Sequence, residues 1–450
     1  MLSMNEMPTI STTRNPIPPQ AGLRIAKAED VYLITDKKQR ILDAAGGAIA
    51  ASIGHGRKRV VDAMAKALRE EGYVLPSLQH PRREQLSAEL REHWLPQPLN
   101  QVYFTCGGSE GNDLAIRLAL QYQQVLGHSR RTKILGREPS YHGTTLLTLA
   151  AGNHAARRRG LTASLPGHPK VPAPYMLRCP LGRHHPDAGD YYVELTQRAI
   201  DREGPETIAA LIAEPITGTS GGALVPPDDY WPRIRQLCDR HGILLILDEV
   251  MTGIGRTGTE FACNHWQLVP DILIGSKGLG AGYGAISGVY LKSRIIEALQ
   301  AEGLGIMFYT FAAQPAACAA ATEVLGIIRE EQLMKDVRMH GNRLGNGLAE
   351  RFAQHPHVAD VRGKGLLWAV EIVADRDSLQ QFPEELDIAQ KVVDAALQQG
   401  VLFYKGGTGE VRDIVCIGPP FTMTEEHLDY CIETLARAVD QVMANPRGFV

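Results

Sequence analysis

The chain has little of what marks membrane, secreted or nucleic-acid-binding proteins. It contains no apolar run long enough to span a bilayer. Its seven cysteines are dispersed and none forms a C-x-x-C pair. That pattern points away from a disulfide framework or a zinc site and toward reduced thiols. A formal net charge of −3 offers no field to hold a nucleic acid or another polyanion. Residues Met1 to Gln20 are rich in Pro, Ser, Thr and Asn and lack the apolar core of a signal peptide. A ragged tail and a cytoplasmic location are expected. There is no internal repeat and no low-complexity tract.

What is present reads in three textures. With 450 residues the chain is one large domain or two ordinary ones. Val31–Ile34 and Arg40–Asp43 predict an antiparallel pair around the turn Asp36–Gln39. Val60, Val61, Met64, Ala67 and Leu68 predict a helix over Arg59–Glu71, and a second is expected over Gln85–His93. From residue 101 strands and helices alternate. Strands are expected at Val102–Thr105, Lys133–Gly136, Thr207–Glu214, Ile243–Leu247, Asp271–Ile274 and Ala285–Leu291, with helices at Asn112–Gln124 and Trp231–His241. Residues 152–190, rich in Pro, Arg, Gly and His, read as a surface excursion. This rhythm predicts a mostly parallel sheet with helices on both faces. Beyond about residue 330 a smaller α+β unit is expected, with strands at Val358–Arg362 and Leu366–Ile372 and helices at Leu386–Gln398 and Glu425–Met443.

Four pieces carry chemistry. The stretch Pro270-Asp-Ile-Leu-Ile-Gly-Ser-Lys-Gly-Leu-Gly-Ala-Gly282 sets Lys277 at the end of a short apolar run. A lysine in a pocket loses hydration, its pKa falls, and its neutral amine can attack a carbonyl, as a Schiff-base lysine must. The glycines after it are expected to leave room for a flat group. Asp248 ends the most apolar strand, where a desolvated carboxylate needs a partner such as a protonated ring nitrogen. The loop Cys106-Gly-Gly-Ser-Glu-Gly111 leads into a helix, and the N–H groups of Gly108 and Ser109 suit an anion. Tyr141 offers a flat face and His142 a polar edge. Each piece alone has a plain alternative: a solvated lysine, a loop-capping carboxylate, a glycine-rich turn, or a core aromatic beside a satisfied histidine. Together they describe a phosphate, a protonated aromatic nitrogen, a flat ring and a carbonyl, which is pyridoxal 5′-phosphate.

The sequence also resembles the class-III aminotransferases, the ω-aminotransferase group of the fold-type I pyridoxal-phosphate enzymes, over roughly residues 25–440. The most specific part is Leu247-Asp-Glu-Val-Met-Thr-Gly-Ile-Gly-Arg-Thr-Gly258 followed by Pro270-Asp-Ile-Leu-Ile-Gly-Ser-Lys-Gly278. The resemblance implies an α/β fold with a large cofactor-binding domain over 71–330. A smaller domain would come from both chain ends, 1–70 (including the tail) and 331–450. It implies that Lys277 forms the Schiff base and then moves the proton, and that Asp248 pairs with the pyridinium nitrogen. It implies that Val250 packs the ring face opposite Tyr141, that Gly108 and Ser109 bind the phosphate, and that His142 and Glu214 belong to the cofactor site. Thr310 would reach the phosphate of a neighbouring subunit, making a homodimer, or a tetramer, with shared sites. The implied reaction is a ping-pong transfer from an amino donor to a keto acid. No metal, nucleic acid or membrane partner is expected.

The chain departs from the ornithine- and GABA-type members of that family. Those carry an arginine three residues before a C-terminal Pro-Pro, where this chain has Cys416. They pair it with a glutamate five residues after the Glu of Glu-Pro-Ile; counting from Glu214, this chain has Thr219. Met251 stands where they often have glutamine. Losing one charge of a buried pair would strand the other, so losing both is coherent. The expected donor therefore lacks a carboxylate beside its amine: an amine, an ω-amino acid, or an amino sugar or polyol. The acceptor, such as pyruvate, still brings one. Arg412 is the candidate to meet it, with Arg24, Arg178 and Arg362 as alternatives. Other reactions of the same cofactor remain open: aminomutase, decarboxylase, racemase or lyase. Gly253-Ile-Gly-Arg-Thr-Gly258 spells G-x-G-x-x-G, the pattern of a dinucleotide-binding oxidoreductase, but the acidic pair precedes it. A scaffold without catalysis would have no need of both Lys277 and Asp248. His184-His-Pro-Asp187 reads as a solvated loop.

Overall fold

The structure, a computed structural model, describes residues 23–448; the tail reading for Met1 to Gln20 falls outside them. A seven-stranded sheet runs through the centre. Its strands lie in the order Leu99–Thr105, Ser287–Lys292, Ile272–Gly275, Leu244–Glu249, Ile208–Ala213, Lys133–Glu138, Lys170–Pro172. Only Ser287–Lys292 runs against its neighbours, so the sheet is mostly parallel, as expected.

The central strands are apolar because both of their faces are covered. Every residue of Ile208–Ala213 and of Leu244–Glu249 is buried. Successive side chains of a strand point to opposite faces. Leu245 and Leu247 accordingly pack with Tyr230, Trp231 and Ile234 of the helix Tyr230–His241. Leu244 and Ile246 pack on the other face with Leu114, Ile116 and Leu118 of the helix Gly108–Val125.

The two chain ends meet. Ile25–Glu29, Tyr32–Thr35 and Arg40–Asp43 form an antiparallel set, and Val401–Leu402 joins it in parallel beside Leu42 and Asp43. A third sheet, Val358–Lys364, Leu367–Ile372, Val411–Ile417 and Tyr404–Thr408, is antiparallel throughout. The helices Leu333–Arg351, Ile388–Gln398 and Glu425–Ala444 accompany these C-terminal strands in the chain.

Several elements differ from the sequence reading. The helix expected from Gln85 begins at Pro81, where His80 Nδ1 accepts from Arg83 N. Its polar first turn carries no apolar signal. The helix expected from Asn112 begins at Gly108, so the glycine run is a first turn and not a loop. Residues 152–190 are not simply a surface excursion. Lys170–Pro172 adds an edge strand, where proline is tolerated. Val171, Ala173, Tyr175 and Leu177 are buried, and the helix Ala188–Glu203 starts inside the tract. The glycines after Lys277 shape a tight turn instead of lining a cavity: a Cβ on Gly280 would meet Gly284 O at 2.1 Å. Among the described residues no helix is long and apolar enough to cross a membrane.

Ile246 sits in this core with no exposed surface. Ile246→Ala is expected to cost about 2–5 kcal/mol of stability, measured by denaturant unfolding.

Candidate active site

The chemical groups converge where the parallel strands end, the place where open α/β sheets bind ligands. One cavity of about 180 Å³ is lined by Gly108, Ser109, Tyr141, His142, Glu214, Thr219, Asp248, Val250 and Lys277, among others. Asp248 lies at the end of Leu244–Glu249, and Lys277 follows the neighbouring strand Ile272–Gly275. In the paired register Asp248 stands opposite Ile274, three residues before Lys277.

Asp248 is 4% exposed, so its carboxylate depends on donors. It has three. His142 Nδ1 donates to Oδ2 at 2.8 Å, Asn112 Nδ2 donates to the same oxygen at 2.8 Å, and Val250 N donates to Oδ1 at 3.0 Å. Asn112 Nδ2 also donates to the His142 carbonyl at 2.9 Å, tying the two Asp248 partners together. The next residue, Glu249, points the other way. Its carboxylate accepts from the backbone of Ala262 and Cys263, both at 2.7 Å, and from Thr252 Oγ1 at 2.8 Å. Of the Asp-Glu pair, Asp248 faces the cavity and Glu249 ties down the following loop.

Burial pushes the Lys277 ammonium down to about 8, against the opposing pull of Asp248. Its backbone is left-handed, at φ 37°, a conformation that costs a non-glycine residue about 1–3 kcal/mol and that clusters at functional sites. Lys170 is a second lysine with a lowered pKa, about 7, chiefly through burial. Its ammonium donates to the carbonyls of Ala150 and His168 at 2.7 and 2.9 Å, and Glu138 resists the shift.

Gly107 provides no side-chain cap to the helix Gly108–Val125, so the first-turn N–H groups are left for another acceptor. Close packing requires the glycine at 108: a Cβ there would meet both Val250 methyl groups at 2.9 Å. Ser109 Oγ accepts from Thr144 N at 3.2 Å. Glu214 Oε1 accepts from Gly218 N at 3.3 Å, while Oε2 is buried without a partner; burial raises the pKa of this carboxyl. Asn112 Oδ1 and His142 Nε2 are likewise buried and unpartnered. An uncapped helix start, a clamped carboxylate and a lysine neutral near pH 8 fit the phosphate, ring nitrogen and aldehyde of pyridoxal phosphate.

Other candidates are placed elsewhere. Arg412 Nη2 donates to Phe382 O at 2.9 Å, and its side chain is not in the wall of the Lys277 cavity. Arg362 is held by Asp360 at 3.0 Å, Glu371 at 2.7 Å and two carbonyls. Arg178 donates to Leu379 O at 3.0 Å, and Arg24 is exposed on the N-terminal sheet side of the chain. Cys416 is buried, does not line the cavity, and is pushed up to about 12 by burial. It lies close to Thr219: a Cβ on Gly406 would meet Cys416 Sγ at 2.5 Å and Thr219 O at 2.9 Å. Thr310 is exposed and outside its own chain's cavity. Among the described residues no group of three or more His, Cys, Asp or Glu side chains converges on a metal position. The G-x-G-x-x-G run leads into the five-residue turn Ala262–Trp266, not into the helix a dinucleotide needs. Asn112 was missed in the sequence, although it lies one turn beyond Gly108 and Ser109 and so shares their helix face.

The chain matches the family model of aminotransferase class-III over residues 16–439. Its fold is similar to the crystal structure of an (S)-enantioselective omega-transaminase from Thermomicrobium roseum, with a TM-score of 0.89 and 35% identity over 94% of this chain and 93% of that one. It is 31% identical to the putrescine–pyruvate aminotransferase of Pseudomonas aeruginosa, over 94% of this chain and 92% of that protein. It is 33% identical to the taurine–pyruvate aminotransferase of Bilophila wadsworthia, over 92% of each. The fold is thus that of the fold-type I transaminases, and the chain is an aminotransferase that belongs to class III.

Proposed function

We propose that the protein is a pyridoxal-phosphate-dependent transaminase that moves an amino group from a donor without a neighbouring carboxylate to a keto acid such as pyruvate. The observation that carries this reading is the meeting of Lys277, the clamped Asp248 and the uncapped helix start around one cavity. The cofactor, when bound, supplies the electron sink. Asp248 would keep the ring nitrogen protonated, and His142 and Asn112 hold that carboxylate in place. Tyr141 and Val250 would flank the ring, and Gly108 and Ser109 would hold the phosphate. Lys277 is neutral often enough near pH 8 to attack a carbonyl and to carry a proton.

The donor class follows from the closeness of Thr219 and Cys416. An arginine–glutamate pair at these positions would present a charge to an α-carboxylate. A neutral thiol and a threonine present none. The names of the putrescine–pyruvate and taurine–pyruvate relatives support a donor of this kind and pyruvate as acceptor.

A homodimer is supported by the surface around Thr310. Tyr73 donates to Thr310 O at 3.1 Å, and Leu75, Leu78, Met307, Phe308 and Phe311 are exposed around that loop and the segment after the helix Lys58–Glu70. Met307 and Phe311 are 68% and 65% exposed, which is costly for a lone chain. A second copy covering this surface would place Thr310 at the partner's site. The division of the chain near residues 70 and 330 is part of the same proposal and is supported by the sheet that joins both chain ends.

Three outcomes are expected. The yellow colour of cofactor-loaded protein bleaches with a plain amine or an ω-amino acid and returns with pyruvate; bleaching by α-amino acids alone contradicts the donor class. Loading of cofactor-free protein, followed by the rise of that colour, accelerates with pH and reaches half of its limit near 8. It accelerates because the neutral amine is the reactive form, and a half-point near that of a free lysine contradicts the reading. Met307→Asp with Phe311→Asp converts a dimer to a monomer in light scattering; an unchanged dimer places the interface elsewhere.

A further inference from the structure

Given the proposed transamination, Lys277 must be a neutral amine for part of every cycle, and the charges around it decide how easily it becomes one. Asp248 and Glu214 favour its ammonium; Arg256 and, more weakly, Arg157 oppose it. Arg256 stands in the run Gly253–Gly258. Among the described residues, Arg137 and Arg256 are the buried arginines. Arg137 donates to the Glu214 carbonyl, and its charge also acts on the Glu214 carboxyl. Arg256 has no such acid. Its Nη1 donates to the carbonyls of Leu366 and Pro419 at 3.1 and 2.5 Å, and its guanidinium lies 4.7 Å from the centroid of the Phe421 ring. The carboxylate whose charge opposes its burial, Asp43, accepts from Gly47 N at 2.9 Å and faces His55 at 3.1 Å instead.

We propose that Arg256 is a positioning residue for Lys277: a buried cation, held by carbonyls and a ring rather than a carboxylate, whose unneutralised charge keeps the lysine amine free to react.

Three observations carry it. The first is cost. Burying a guanidinium without a carboxylate is unfavourable, and burial pushes the Arg256 pKa down to about 9. The group is still charged where Lys277 titrates. A clamp between carbonyls needs only a neutral donor, so the clamp alone does not account for a charge kept at that cost. Elsewhere the fold neutralises such a group: Arg362 meets Asp360 at 3.0 Å and Glu371 at 2.7 Å. The second is place. The run follows Thr252, which lines the Lys277 cavity, and a Cβ on Gly278, next to Lys277, would meet Ile254 at 3.2 Å. The turn of Arg256 and the turn of Lys277 are therefore packed against each other. The third is rigidity. Leu366 N donates back to Arg256 O at 3.0 Å, Phe421 N donates to Ser52 O at 2.7 Å, and a Cβ on Gly255 would meet the Phe421 ring at 3.2 Å. Carbonyls and a ring face hold the charge in place without cancelling it.

The test follows pH in two reactions that begin with Lys277 as a free amine: loading of the cofactor-free chain with pyridoxal phosphate, and the pyruvate half-reaction of the aminated, cofactor-loaded enzyme. Arg256→Gln keeps a donor for the carbonyls and removes the charge. It is expected to move the rising limb of both profiles to higher pH, so that the rate at pH 7 falls about threefold or more while the limiting rate at high pH holds. Phe421→Leu loosens the same packing and keeps the charge, so its half-point stays at the wild-type pH. Phe421→Glu neutralises Arg256 in place and should shift the profiles as Arg256→Gln does, which answers the question should Arg256→Gln fail to fold. A wild-type pH profile in a folded variant of either kind overturns the proposal, as does a loss of rate that is equal at every pH. Failure of both to fold where Phe421→Leu folds assigns the charge to stability and overturns it as well. A wild type that takes up no pyridoxal phosphate is a separate result, seen before any substitution, and overturns the transaminase reading itself.

Discussion

The three hydrogen bonds to Asp248 set the terms for the rest of the site. A carboxylate almost closed off from water stays ionised only if its surroundings supply donors and positive charge. Here the donors come from three different elements: His142 after one strand, Asn112 on the helix Gly108–Val125, and the backbone of Val250. Each of these residues is therefore fixed relative to the others, and with them Tyr141, next to His142, and Gly108, one helical turn before Asn112. The same strand alternation that turns Asp248 to the cavity turns Glu249 to the loop behind it. Lys277, one strand over, feels both the burial that favours its neutral form and the Asp248 charge that resists it. That balance leaves the ammonium pKa at about 8.

Much of this was legible because it is local. Apolar strands with chemistry at their ends announce themselves, and Asp248, Lys277, Gly108, Ser109, Tyr141, His142, Glu214, Thr219 and Val250 all line one cavity. What was hidden depends on three-dimensional neighbours. Asn112 looks like one more polar residue of an amphipathic helix until His142 and Asp248 are seen on either side of its amide. Arg412 looked available because it is near Cys416 in sequence. Strand alternation sends it toward Phe382 instead. The helix Ala188–Glu203 was obscured by a tract full of Pro, Gly and His, although Tyr192, Thr196, Ala199 and Ile200 carry helical spacing. Arg157, one of three consecutive arginines in that tract, gave no signal that it would lie over Tyr141.

Class membership fixes the reaction type, but substrate choice lies in details that the class varies. The neutral Thr219–Cys416 neighbourhood removes a fixed charge from one side of the cavity.

The central claim is that Lys277 is the lysine that carries the cofactor. Lys170 is the natural rival, since burial lowers its pKa as well. Borohydride reduction of the cofactor-loaded protein, followed by peptide mass spectrometry, tests this most directly. The account expects a stable phosphopyridoxyl label on Lys277 and on no other lysine. A label on Lys170, or none on Lys277, would contradict it.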